Sequence, residues 1–197
     1  MFIKNLLPTY LKNGSKKITL IYKKNGMKKI LAIIGLLICF ATINAQPPHI
    51  IQFRQILESA KTNFAGDIGE VVSKDKANNI YKPKVPTDMG ESFVMESLSD
   101  EGKVTDRNYI ISFKKKLSDD KDIQIVNDSR FSIYGFVVKG YLTEMAEQVK
   151  AGTYNSKENY EREGKTITDW YTKENALAVR YAVDENSKTI IVYKHSK

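Results

Sequence analysis

Cysteine is nearly absent: Cys39 is the only one in 197 residues. It falls inside an apolar run near the start, so residues 46–197 hold no thiol. Disulfides, thiolate metal sites and a cysteine nucleophile are excluded from that stretch. Histidine is scarce too. His49 and His195 stand near opposite ends of residues 46–197, with no second histidine beside either. That spacing argues against a zinc site, and a residue two from a terminus is a poor anchor for a catalytic triad. Acidic residues are missing altogether from residues 1–45, which carry eight lysines. Long hydrophobic runs are missing as well. Ile30 to Ile43, about 14 residues, is shorter than the roughly 20 a membrane-spanning helix needs.

That apolar run explains the acid-free start. Lys28 and Lys29 follow Met27, the run comes next, and Asn44-Ala45 leads into Gln46-Pro47-Pro48. A charged start, a short apolar stretch and a small residue before a polar break make a secretory signal peptide. Residues 27–45 are read as that signal, with cleavage between Ala45 and Gln46. The rival is lipid attachment at Cys39. That pattern wants a small residue before the cysteine, and Ile38 stands there. Residues 1–26 read as a non-native extension ahead of a true start at Met27, or else as a long basic front end of the signal.

Removing the leader removes the charge. The whole chain is +8. Taking the eight leader lysines from 31 basic residues leaves 23, equal to the 23 acids. The basic pI therefore gives no reason to expect nucleic acid or an anionic membrane as partner. The expected product is an exported protein, periplasmic or secreted, with no stable membrane insertion after cleavage. Residues 46–197 are long enough to fold as one domain on a hydrophobic core alone, burying about 68–70% of the unfolded surface.

What is present is an alternation of helical and extended patterns. Ile50, Phe53, Ile56, Leu57, Ala60 and Phe64 recur at helical spacing, and Gly66 and Gly69 close the element. Ser73 to Asn79 is polar and without period. Strands are expected at Ile80–Val85, ended by prolines, at Glu91–Leu98 and at Asn108–Lys115. Ile123–Val126 reads as a further short strand. A second helix follows, with Asp128 or Ser129 as N-cap, a core row from Tyr134 to Val149, and Glu144 and Glu147 facing outward. Its glycines, Gly135 and Gly140, leave Phe131–Val138 open to a strand reading. Lys165–Thr172, Ala176–Val183 and Thr189–His195 complete the strands.

The two halves, 50–116 and 131–197, show the same order of one helix and three strands. The fold expected is α+β: an antiparallel sheet with two helices on one face and an internal α-β-β-β repeat. The order resembles the helix-plus-strands repeats of small exported bacterial proteins such as the β-lactamase-inhibitor-like and PepSY-like groups. The resemblance lies in layout, and no site residue is carried over with it.

Catalytic motifs fail on inspection. Gly164-Lys165-Thr166 lacks the earlier glycine of a phosphate loop, where Asn159 stands. Ser112 and Lys115 have S-x-x-K spacing, but on a strand they point to opposite faces. A calcium loop from Asp120 would need a glycine at Ile125 and a glutamate at Phe131. No metal and no cofactor is expected. Carboxylates are plentiful, yet none can be paired as acid and base from the sequence, so a carboxylate-dependent hydrolase stays as an alternative.

Aromatic residues remain: nine tyrosines and one tryptophan after residue 45. In the strand Ala176–Val183, Leu177, Val179, Tyr181 and Val183 form a large row, and Ala176, Ala178, Arg180 and Ala182 a small one. If the large row faces the helices, the small row makes a shallow floor on the open face. Arg180, Trp170 and Tyr171 are the candidate binding residues, for a protein partner or an acidic ligand. The function expected is a non-catalytic binding or inhibitor-like protein of the bacterial envelope or exterior. A structural part of an envelope complex is the other alternative.

Overall fold

The computed structural model describes residues 46–195, apart from Asp88 and Ser156. The signal sequence expected at residues 27–45, with Cys39 and Ala45, lies outside the described residues. Pro47–Lys197 forms one compact unit.

Helix α1, Pro48–Ser59, starts with a proline in its first turn, where no intrahelical N–H is needed. It buries Ile50, Phe53, Ile56 and Leu57. A 3-10 turn, Ala60–Thr62, carries it on. The stop comes at Asn63 rather than at Gly66. Asn63 takes the left-handed conformation, φ 55°, which asparagine tolerates better than most residues. Phe64 follows at positive φ and is fully buried, its ring against Tyr109.

Strands β1, Ile68–Lys74, and β2, Asn78–Pro83, form a hairpin. Its turn is held by the Asp75 carboxylate, which accepts from the N–H groups of Ala77 and Asn78 at 2.7 Å each. Sequence pattern hides β1 because it is a sheet edge exposed on both faces, with Val71 and Val72 facing water. The sheet continues through β3, Glu91–Leu98, and β4, Val104–Lys114.

Helix α2 runs from Lys121 to Lys150, 30 residues. Its N-cap is Asp120, whose carboxylate accepts from the N–H groups of Asp122 and Ile123. Ile123–Val126 is therefore helical, not a strand, and Phe131–Val138 is helical as well. The cap overrides the β-branched residues of the first turns. Those turns leave Ile123, Ile125 and Val126 exposed. Glu144 does not face outward. It is buried and accepts a 2.7 Å ion-pair hydrogen bond from Arg54 of α1.

Strands β5, Lys157–Arg162, and β6, Lys165–Tyr171, meet at a two-residue turn, Glu163-Gly164. Both turn residues have positive φ, 52° and 73°, as a tight hairpin of this twist demands. The glycine before Lys165 and Thr166 is thus hairpin chemistry. β7, Leu177–Val183, and β8, Ser187–Tyr193, finish the sheet.

All eight strands form one antiparallel sheet in the order β1-β2-β3-β4-β8-β7-β6-β5. Each half is one helix followed by four strands, one strand more than the sequence pattern shows. Partners directly opposite in neighbouring strands share a face. The row Tyr81, Val94, Tyr109, Val192, Val179, Trp170 therefore crosses β2 to β6 on a single face. Phe113 lies on the same face as Tyr109, four residues on, and its ring meets Tyr134 of α2 at 5.1 Å. With Phe64 on Tyr109 and Phe53 stacked on Tyr141 at 4.5 Å, both helices rest on this side. They enclose one hydrophobic core with it.

Candidate functional site on the open sheet face

The opposite face carries neither helix. Its central row runs Phe93, Ile110, Ile191, Arg180, Asp169, Glu158, one residue from each of six neighbouring strands. The next row holds Ile80, Met95, Asn108 and Tyr193. One end of the face is thus apolar and half-buried, and the other is ionic.

Strand alternation builds the ionic end. Arg180 has Ile191 and Asp169 directly across from it on the two neighbouring strands. Nε and Nη2 donate to the two oxygens of Asp169, both at 2.8 Å, in the forked geometry that arginine and carboxylate favour. Tyr160 donates its hydroxyl to Asp169 at 2.9 Å and accepts from Arg180 at 3.0 Å. Asp169 is only 1% exposed. The hydrogen bond to Asp169 is the main cause that raises the Arg180 pKa. Burial, then the bond to Asp169, raises that of Tyr160. Tyr171 donates to Glu158 at 3.0 Å beside this clip.

Two of the three sequence candidates come together here. Arg180 and Tyr171 lie on the open face. Trp170 points the other way, because its cross-strand partner Val179 is on the helix face, and it is 3% exposed. It does not border the floor of small residues. Ala176 precedes β7 and is outside the strand row. Asp169 and Tyr160, the partners that occupy Arg180, escaped the sequence reading. The signal was faint: an aspartate at the centre of a strand otherwise rich in apolar and β-branched residues.

Asp169 and Glu158 are directly opposite each other on β6 and β5. The pair is the nearest thing on this face to the two carboxylates of a hydrolase. Asp169, however, accepts three hydrogen bonds and is closed to water, which suits a structural clip and not a general base.

The helix face has a similar clip. Glu96 accepts from Arg107 at 2.8 Å, Tyr81 at 2.9 Å and Asn79 at 3.2 Å. Burial alone would push its carboxyl up. The three hydrogen bonds outweigh burial and hold it below the usual range. Among the described residues, no group of three histidine, cysteine or acidic side chains is placed to hold a metal ion. Asp120, the start of the calcium loop tested in the sequence, acts as the helix cap.

No described helix is long and apolar enough to cross a membrane. No family model, no curated protein and no solved structure matches the chain.

Proposed function

We propose that the chain is an exported, non-catalytic binding protein of the bacterial envelope or exterior, and that its open sheet face docks a protein partner. One observation carries this: an eight-stranded sheet leaves a face with neither helix on it, and that face holds the apolar cluster Phe93, Met95, Ile110, Ile191 and Tyr193. These five residues are half-buried, not sealed, and a contiguous apolar cluster on a face that neither helix covers suits an interaction site. Tyrosine at its edge supplies area with a polar tip. The arginine of this face enters the reading as a fixed part of the rim, because Asp169 holds it. The two α-β-β-β-β halves, joined through β4 and β8, read as an internal repeat that yields a sheet this wide.

The test is a binding measurement with a purified partner first captured from envelope extract. Ile110→Lys places a charge in the centre of the apolar cluster. It should weaken binding by about a hundredfold if this is the docking surface, in line with the loss of a central contact. Melting temperature should confirm that the variant is folded. Unchanged affinity for Ile110→Lys would overturn the assignment of this face.

A further inference from the structure

A second site lies on the other side of the sheet. Between the C-terminal turns of α2 and strands β5 to β7 is a cavity of about 240 Å³, lined by Leu142, Ala146, Val149, Lys157, Thr168, Trp170 and Tyr181. Register explains its shape. Leu142, Ala146 and Val149 recur at helical spacing on one side of α2. Below them, Lys157 pairs with Trp170, and Thr168 with Tyr181, on the helix face of the sheet. Ala146 and Thr168 are small where larger side chains would close the gap.

We propose that this cavity binds a small amphipathic carboxylate, its tail against α2 and Trp170 and its carboxylate at the Lys157 ammonium. Three features single out that chemistry. The walls contributed by α2 are entirely apolar. Every ionisable group in the lining is a cation or a hydroxyl, and no acid lines the cavity. Lys157 has no ion-pair partner among the described residues, and Trp170 and Tyr181 make no hydrogen bond among them. Among the described residues, then, no protein group takes up the indole N–H, the phenol O–H or the ammonium of the solvent-exposed Lys157. Burial raises the Tyr181 pKa with no hydrogen bond contributing, which keeps its proton in place as a donor. Thr168 is different: its hydroxyl donates to Asn159 at 2.8 Å. A cavity of this volume takes a ligand of roughly ten non-hydrogen atoms, the size of octanoate or 3-phenylpropanoate.

The site is independent of the open face, so either reading can fail without the other. Trp170 is the one tryptophan of the chain, so its fluorescence reports the cavity without a label. Titration of the purified protein with octanoate should change that fluorescence saturably, with a dissociation constant below about 1 mM. Octanol and octylamine should bind at least about tenfold more weakly, lacking the charge or carrying the wrong one. Lys157→Met keeps the apolar stem and removes the charge. It should cost octanoate about tenfold in affinity and leave octanol unchanged. Ala146→Phe should fill the mouth and abolish binding; because Ala146 is exposed, the variant should stay folded, as a thermal melt would show. The proposal is overturned if octanoate produces no saturable change, if octylamine binds as well as octanoate, or if folded Lys157→Met or Ala146→Phe binds octanoate like the parent.

Discussion

Asp169 sits almost sealed in the sheet with Arg180 across both its oxygens. Removing the guanidinium would strand a buried carboxylate, and that is costlier than losing the pair together. Arg180→Ala should lower the unfolding free energy by on the order of 3 kcal/mol. The double change Arg180→Met with Asp169→Leu should restore most of it, since no charge is left buried. Urea denaturation separates the two; an equal loss in both proteins would mean that packing, not the stranded charge, sets the cost. His195 gives a residue-scale test of pH. It is docked rather than loose: its backbone N–H donates to Ala60 at 3.0 Å and its ring lies edge-on to Tyr154. Burial first, then Lys61, lowers its pKa below the ordinary 6.5, against the opposing pull of Glu58 and Glu174. The folded state therefore binds fewer protons than the unfolded one near that pH. Its contribution is fully present above about pH 6.5 and is lost as pH falls through the folded value. His195→Phe keeps a ring beside Tyr154 and should flatten the stability curve in that window. A parent curve already flat there would contradict this account. The lowered carboxyls of Glu96 and Glu144 act in a separate, more acid window, below their ordinary value of 4.5.

The two glycines of α2 differ in what surrounds them. A Cβ at Gly140 would meet Ile50 Cδ1 at 2.8 Å and His49 Nε2 at 2.9 Å, so α1 crosses closely there. A Cβ at Gly135 meets nothing within 4 Å. Gly135→Ala should stabilise by about 0.5–1 kcal/mol, the usual helix-interior gain. Gly140→Ala should lose that gain to crowding, and Gly140→Leu should destabilise by about 1–3 kcal/mol. Thermal melts of the three variants check the order. If Gly140→Leu melts with the parent, the close helix crossing is wrong. The same elements show why part of the fold was legible. Strands β3, β4 and β7 bury one side against helices, and so does the second half of α2; their apolar period is written in the sequence. Edge strands β1 and β5 bury neither side, so nothing in their composition marks them. The start of α2 is helical through its Asp120 cap while its β-branched residues say strand. At the candidate site, alternation placed Arg180 correctly on the small row. It could not show that a residue eleven positions earlier would close over it, because that pairing depends on the β6–β7 register.

On the scale of the whole molecule, the excess charge ends just where the described residues begin. All of the +8 excess lies in residues 1–45, and α1 begins at Pro48. Cleavage between Ala45 and Gln46 would leave two residues ahead of α1. The product would carry equal numbers of acids and bases. Neutrality matters for the proposed docking face, since long-range attraction would then contribute little and binding should depend only weakly on salt. Intact mass of the exported protein should match a chain starting at Gln46, and isoelectric focusing should place it far below the value near 9.3 of the full sequence. A mass that includes Cys39 with attached lipid would overturn this and would tether the domain by the short segment from Cys39 to Pro48. A mass beginning at Met1 would restore the basic charge and, with it, a reason to test anionic surfaces.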